Sequence, residues 1–239
     1  MRHSSLLLTT LFALGCSVTQ SEDLETSGMA ASITVSADGS GVSSVSARLS
    51  TDANALNSIQ LDSGDLFLAT AGTQSQDMSM VDILDDITYQ ASFNGQDSAG
   101  TAYNIALNRR SGFVSAPSST VTMPSPYNIT APTATATFSR ANDDIPVTYD
   151  SSGTGDPMTW NISSGSCASN PSGSVSNDSG SFTITKGALV TNDAAEKTAT
   201  CQVTITLQRT RTGTIDSHYG YGGTINAAQT RSVTFTSTP

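Results

Sequence analysis

Every second residue is apolar in a series of short segments spread along the chain: Ile33, Val35 and Ala37; Val45, Ala47 and Leu49; Leu66 and Leu68; Ile87, Tyr89, Ala91 and Phe93; Tyr103, Ile105 and Leu107; Val203, Ile205 and Leu207; Val233 and Phe235. Threonine or serine fills most positions between them. A two-residue period sends alternate side chains to opposite faces of an extended strand, so each segment reads as a strand with one buried and one wet face. Turn-forming clusters separate the segments, as in Asp38-Gly39-Ser40-Gly41, Asp62-Ser63-Gly64, Asn94-Gly95 and Gly153-Thr154-Gly155-Asp156-Pro157. No sustained run repeats at 3.6 residues. Helix formers are scarce as well, with 2 lysines and 3 glutamates against 17 aspartates. The chain is expected to be all-β, and many short strands at this spacing predict sandwiches.

An internal repeat sets the number of sandwiches. Tyr103-Asn104-Ile105-Ala106-Leu107-Asn108-Arg109 aligns with Val203-Thr204-Ile205-Thr206-Leu207-Gln208-Arg209 at a separation of 100 residues. Each copy then reaches a glycine, Gly112 or Gly213, and a closing strand, Thr120–Met123 or Ser232–Phe235. Two sandwiches of one topology are expected. Pro124-Ser125-Pro126 is the natural joint, because the prolines disfavour helix and stiffen a short linker. The expected divisions are 31–124 for the first sandwich and 125–239 for the second.

The N-terminus carries a compartment signal. Met1-Arg2 is a short positive region, the run from Leu6 to Gly15 is apolar, and Cys16 follows directly. A small residue before a cysteine at the end of such a run resembles a bacterial lipoprotein signal. The resemblance implies that residues 1–15 are removed and that Cys16 carries the lipid, leaving a membrane-bound protein. Ser17, where an aspartate would retain the protein, implies passage to the outer membrane by resemblance to lipoprotein sorting in enterobacteria. An ordinary secretory peptide, with Cys16 as one of its apolar residues, and a short membrane anchor are the alternatives. A span needs roughly 20 apolar residues, more than this run supplies. Residues 16–30 are polar, acidic and aperiodic and read as a flexible tether reaching roughly 20 Å.

With Cys16 accounted for, Cys167 and Cys201 are an even pair in an oxidising compartment. Cys201 is in phase with Val203, Ile205 and Leu207, so its sulfur points inward. Cys167 follows the strand candidate Met158–Ile162 after a short turn. A disulfide between them is expected.

The segment Thr101–Leu107 resembles the penultimate strand of fibronectin type III and immunoglobulin-like domains, in which a starting tyrosine closes a corner by a hydrogen bond. Tyr103 is the match, with Tyr89 as competitor, and Val203 departs from the pattern in the second copy. The order Trp160, Cys167, Cys201 also differs from the cysteine, tryptophan, cysteine order of antibody domains. As a whole the arrangement resembles bacterial lipoproteins with tandem immunoglobulin-like, fibronectin type III-like domains.

Residues for catalysis are scarce. The histidines are His3, within the signal peptide, and His218, and the chain holds no G-x-S-x-G elbow or phosphate loop. The expectation is a non-enzymatic protein without a cofactor. Asp62, Asp65, Asp85, Asp86, Asn142, Asp143, Asp144 and Asp156 cluster in turns, but without the spacing of a calcium loop, so no metal site is expected. A net charge of −10, or −11 once Arg2 is removed, weighs against nucleic acid.

Residues 210–230 connect the last two strands and, with Arg209 just before them, gather cations and aromatics: Arg209, Arg211, His218, Tyr219 and Tyr221. Tyrosines in a glycine-rich loop suit recognition of a protein or glycan. The same segment also reads as a twisted hairpin extension whose tyrosines cover the end of a sandwich. Two functions follow: a binding or adhesion module at the cell envelope, or a structural spacer or assembly component with no ligand of its own.

Overall fold

A computed structural model describes residues 18–53, 57–165, 167–191 and 196–239. The expected signal peptide, residues 1–15, and Cys16 lie outside the described residues. Among the described residues ten strands form in the first half: β1 (Thr19–Gln20), β2 (Ala30–Ala37), β3 (Val42–Ser50), β4 (Ile59–Gln60), β5 (Leu66–Ala71), β6 (Gln74–Asp77), β7 (Ser79–Ile83), β8 (Asp86–Asn94), β9 (Ala102–Asn108) and β10 (Ala116–Thr122). Eight follow: β11 (Ile129–Ala131), β12 (Thr137–Ser139), β13 (Ile145–Tyr149), β14 (Met158–Ser163), β15 (Ser172–Val175), β16 (Ser181–Ile184), β17 (Cys201–Thr212) and β18 (Gly223–Thr238).

In the first sandwich the sheet β2-β3-β8-β7 faces the sheet β10-β9-β5-β6. In the second, β11-β13-β16 faces β15-β14-β17-β18, with β12 running parallel beside the end of β18. Corresponding strands of the two halves occupy corresponding places. The repeat is the reason, since β9 and β17 are its two copies and hold the middle of their sheets.

The alternating apolar residues fill the space between the sheets. Ile33, Val35, Val45, Leu49, Phe93, Tyr103, Ile105 and Leu107 are buried in the first core, and Val203, Ile205, Leu207 and Phe235 in the second. One phase differs from expectation. In β5 the inward residues are Phe67, Ala69 and Ala71, while Leu66 is exposed and Leu68 half-buried. Apolar residues occupy both phases of that strand, and Phe67 takes the interior because its ring packs on Tyr89 at 5.3 Å. In the second core Trp160 stacks on Phe182 from the facing sheet at 5.3 Å. Gly173, opposite Trp160 in β15, leaves room for the indole, since a Cβ there would meet its Nε1 at 2.8 Å.

Tyr103 closes the corner, its hydroxyl donating to the Gln96 carbonyl seven residues upstream and lying 2.6 Å from Ser43 Oγ. Tyr89 bonds elsewhere, accepting from the Leu61 amide at 2.7 Å. Cys167 and Cys201 form a disulfide, with Cα atoms 6.2 Å apart.

Two features depart from the expected divisions. From Val18 onward the segment read as a tether is packed: β1 pairs with β4, and Ser21, Thr26 and Met29 are buried. Its backbone carbonyls are what the buried Arg109 needs as acceptors, a requirement that leaves no period in the sequence. The contacts also do not divide at residue 125. The first half of β18 pairs in parallel with β2, from Gly223 beside Ala31 to Gln229 beside Ala37, and β18 pairs with β17 up to Ser237 beside Cys201. Tyr219, Ile225 and Ala227 belong to the first core. The hairpin from β17 into β18 thus grows out of the second sandwich and lies along the first.

Candidate recognition surface

This hairpin joins both edges of the first sandwich. On one side β18 adds to β2. On the other, Thr214 bridges to Thr120 of β10, with each amide donating to the other's carbonyl at 2.8 Å. Gly213 donates to the Ile225 carbonyl at 2.8 Å, completing a hydrogen-bonded path from one sheet to the other. Backbone approaches backbone so closely that a Cβ on Gly213 would drive into the Thr120 carbonyl, and one on Gly220 into that of Ser27. Glycine is required at both places by space.

The five residues singled out in the sequence have different fates. Arg209 is fully buried, paired with Asp178 at 3.0 Å, and donates to the carbonyls of Ser125 and Asp150 at 2.7 Å each. Its guanidinium lies over the Tyr127 ring, 4.7 Å from the centroid. Arg211 holds Asp156 with two bonds, at 2.9 and 2.7 Å, and reaches Thr122 Oγ1 at 3.0 Å, so it ties the second sandwich to the first. Tyr219 is 3% exposed and packs in the first core. Its hydroxyl has no partner among the described residues, and burial, with the nearby Asp216 charge, pushes it well above the usual tyrosine range. His218 is half exposed and pairs through Nδ1 with Asp216 at 2.7 Å. Tyr221 is 57% exposed. Of the five, His218 and Tyr221 therefore face solvent at the hairpin tip, with Arg211 half-buried further back.

Three carboxylates hold the hairpin in place. Burial raises the Asp178 carboxyl, but hydrogen bonds from Ser152 and Arg209 outweigh it and bring its pKa below the usual aspartate value. At Asp156 burial is likewise outweighed, by Arg211 and Thr154. Asp216 accepts from the amides of His218 at 2.9 Å and Ser118 at 2.6 Å, and these bonds with the His218 side chain lower it against burial.

Between the hairpin and the outer face of β9 and β10 runs a groove of about 480 Å³, lined by Thr70, Asn104, Thr120, Thr122, Thr212 and Thr214 among others. A shallower hollow of about 340 Å³ continues from Thr214 along Ser118 and Asp216 to His218. Threonine hydroxyls and the Asn104 amide share the lining with Gly72, Ala102, Val121 and Gly213, so apolar surface predominates and no charged side chain takes part. Such a lining suits neutral ligands that present both an apolar face and hydroxyls. Nothing in the sequence singles it out, because alternate threonines in a strand read as a wet face whether or not a second wall stands beside it. No three histidine, cysteine or acidic side chains among the described residues converge on a metal-sized site.

The strand order and the Tyr103 corner make these two units tandem β-sandwiches of fibronectin type III-like, immunoglobulin-like fold. Solved structures similar to the chain include the FN1–FN3 domains of chicken CNTN1, at 10% identity over 84% of this chain with a TM-score of 0.31. A two-domain fibronectin type III segment of chicken tenascin is also similar, at 14% identity over 74% of this chain and 88% of that one, with a TM-score of 0.23. The chain spans 62% of the length of the CNTN1 fragment. No protein-family model matches, and no curated protein matches.

Proposed function

We propose that the protein is a non-enzymatic, lipid-anchored envelope protein, attached through Cys16 to the outer membrane, that binds a glycan or a protein through the groove beside its hairpin. The observation that carries the reading is the hairpin itself, which joins two sandwiches into one body and supplies the second wall of the groove. A cleft with apolar surface, several threonine hydroxyls and no charged side chain favours a sugar over a charged ligand, because a sugar ring presents an apolar face and hydroxyls together and no wall group must lose a full charge's hydration.

The test is an NMR titration of residues 17–239, which lack the apolar leader and Cys16, with peptidoglycan fragments and neutral envelope polysaccharide. Amide shifts are expected at Thr70, Asn104, Thr120 and Thr214, and they should vanish in Thr122→Tyr, which fills the groove. Binding that maps elsewhere on the surface would refute the assignment.

A second reading is a spacer or assembly component with no ligand of its own. The burial of Arg209 and Tyr219 favours it, since the recognition loop expected from sequence spends its largest side chains on packing. A chain that shifts with no envelope polymer and still holds its two sandwiches rigidly would support the spacer.

A further inference from the structure

We infer that the end of the first sandwich from which the N-terminus emerges docks on the lipid surface, with the Ile83–Leu84 turn as its main contact. The inference rests on lipidation at Cys16. Only Ser17 separates Cys16 from Val18, and two residues span at most about 7 Å. The chain is packed from that point, because the Thr19 amide donates to the Ser58 carbonyl at 3.0 Å and β1 pairs with β4. An acyl chain on Cys16 therefore draws this end of the sandwich against the headgroups without a slack tether.

The turn lies beside the exit. Ser58 Oγ donates to Asp86 at 3.4 Å and accepts from the Ile87 amide at 3.1 Å, and Asp86 pairs with Ile83 across the β7–β8 turn. Leu84 and Asp85 form its tip with φ of 55° and 65°. Two-residue turns with both φ positive favour asparagine and glycine. A leucine there is strained, and this one is 93% exposed, with Ile83 at 66%. Strain and exposure together disfavour leucine in water, and the observed outlier points to a use outside the folded chain.

Other apolar residues share this end. Seven large apolar side chains are exposed among the described residues, and five of them, Leu66, Ile83, Leu84, Val114 and Tyr221, lie around the entering segment. Leu66 follows Asp65, which Ser21 holds at 2.7 Å. Thr26 donates to the Val114 carbonyl, and the Tyr221 amide donates to that of Met29 at 3.2 Å. Such a concentration at one end marks an interaction surface. A tyrosine and aliphatic tips suit the boundary of headgroups and acyl chains. Asp82, Asp85 and Asp86 flank the turn, and Glu22, Asp23 and Glu25 are exposed on the entering segment, against Arg48, which pairs with Asp86 at 2.9 Å, and Arg110, which pairs with Glu22 at 3.2 Å. Acids thus outnumber cations at this end, so the leaflet it fits is zwitterionic, such as phosphatidylethanolamine.

The experiment uses the full lipidated chain in phosphatidylethanolamine–phosphatidylcholine vesicles, part of whose lipids carry bromine on the acyl chains. Leu84→Trp is compared with Val190→Trp, an exposed position in the second sandwich whose carbonyl accepts from Ser169 Oγ, and Trp160 contributes equally to both. Brominated lipid is expected to quench most of the emission that Leu84→Trp adds and to leave that added by Val190→Trp unchanged. Vesicles that carry the lipidated protein but leave the indole of Leu84→Trp unquenched overturn the docking alone. A wild type that incorporates no labelled fatty acid, or incorporates it equally as Cys16→Ser, overturns the lipidation and the docking together.

Discussion

Arg109 and Arg209, one hundred residues apart, do the same work at the ends of their strands. Each ends its copy of the repeat with a fully buried side chain, pairs with one aspartate, Asp65 at 2.9 Å or Asp178 at 3.0 Å, and faces one ring, Phe113 or Tyr127. Each also donates to carbonyls of the chain entering its sandwich: Arg109 to Ser21 and Leu24 at 2.8 and 3.1 Å, Arg209 to Ser125 at 2.7 Å. The repeated arginine thus fixes how the chain enters each sandwich. At Arg209 that entry is also the joint, so one side chain holds the core of the second sandwich and the approach from the first.

Removing one partner of a buried pair leaves the other charge without compensation, which costs about 3–5 kcal/mol. Arg209→Met is expected to destabilise the chain by that amount in urea unfolding. Arg209→Met combined with Asp178→Leu should recover part of the loss, because both charges then leave the interior. If the double variant is no more stable than the single one, packing of the guanidinium on Tyr127 matters more than charge.

The hairpin predicts one melting transition for the whole chain. A fragment of residues 18–124 lacks Tyr219, Ile225 and Ala227 from its core and leaves both β2 and β10 as bare edges. Burying Ile225 alone is worth about 1.5–3 kcal/mol, a large share of the roughly 5–15 kcal/mol of a typical domain, whereas the gain from the Tyr219 ring is offset by its unpaired hydroxyl. Calorimetry should show a single cooperative unit for the full chain and no cooperative melt for the fragment. Gly213→Ala and Gly220→Ala attack the same contact from the backbone and should each lower the midpoint.

How far the sequence leads depends on whether a feature leaves a period. The long strands, most of their inward faces and the paired topology follow from alternation and repeat, the Cys167–Cys201 bridge from phase and pairing, and the Tyr103 corner from the resemblance to fibronectin type III-like domains. The inward face of β5 does not, because apolar residues fill both of its phases. The sharing of β18 does not. Ile225, Ala227 and Gln229 alternate in the same phase as Val233 and Phe235, so the strand reads identically whichever sandwich it pairs with along its length. Arg109 and the segment 18–29 are illegible for another reason, since carbonyl acceptors are present at every residue and only the fold selects Ser21 and Leu24. At the recognition surface, Tyr219 and Tyr221 look equivalent in a glycine-rich stretch, and the close contact at Gly220 sends one inward and leaves the other out.

Acid should weaken the fold through the carboxylates that hold the hairpin. Asp156, Asp178 and Asp216 all titrate below the ordinary aspartate value in the folded chain. A group lowered on folding contributes stability that is complete above its unfolded pKa of about 3.9 and lost as pH falls through its folded value. Melting midpoints should hold down to about pH 5 and then fall steeply. Asp156→Asn should start lower and fall less, because one of the three titrating groups is gone.

The disulfide encloses 34 residues of sequence separation, for which the chain-entropy relation gives about 3–4 kcal/mol. Cys167→Ala with Cys201→Ala is expected to lose that much, and the denatured, unreduced Cys16→Ser protein should show no free thiol. Two reactive thiols per chain would refute the bridge.

Leu84 offers the converse, a substitution that should stabilise. A left-handed conformation costs a bulky side chain about 1–2 kcal/mol, and asparagine adopts it more readily because its short polar group bonds locally. The turn is otherwise well made, with the Asp85 amide donating to Asp82 at 3.1 Å. Leu84 is almost wholly exposed, so its removal opens no cavity. Leu84→Asn is therefore expected to raise stability by about 1 kcal/mol in residues 17–239, which lack the apolar leader and Cys16. A drop of that size instead would mean that Leu84 packs on its neighbours in solution, which would remove the strain argument for a role outside the folded chain.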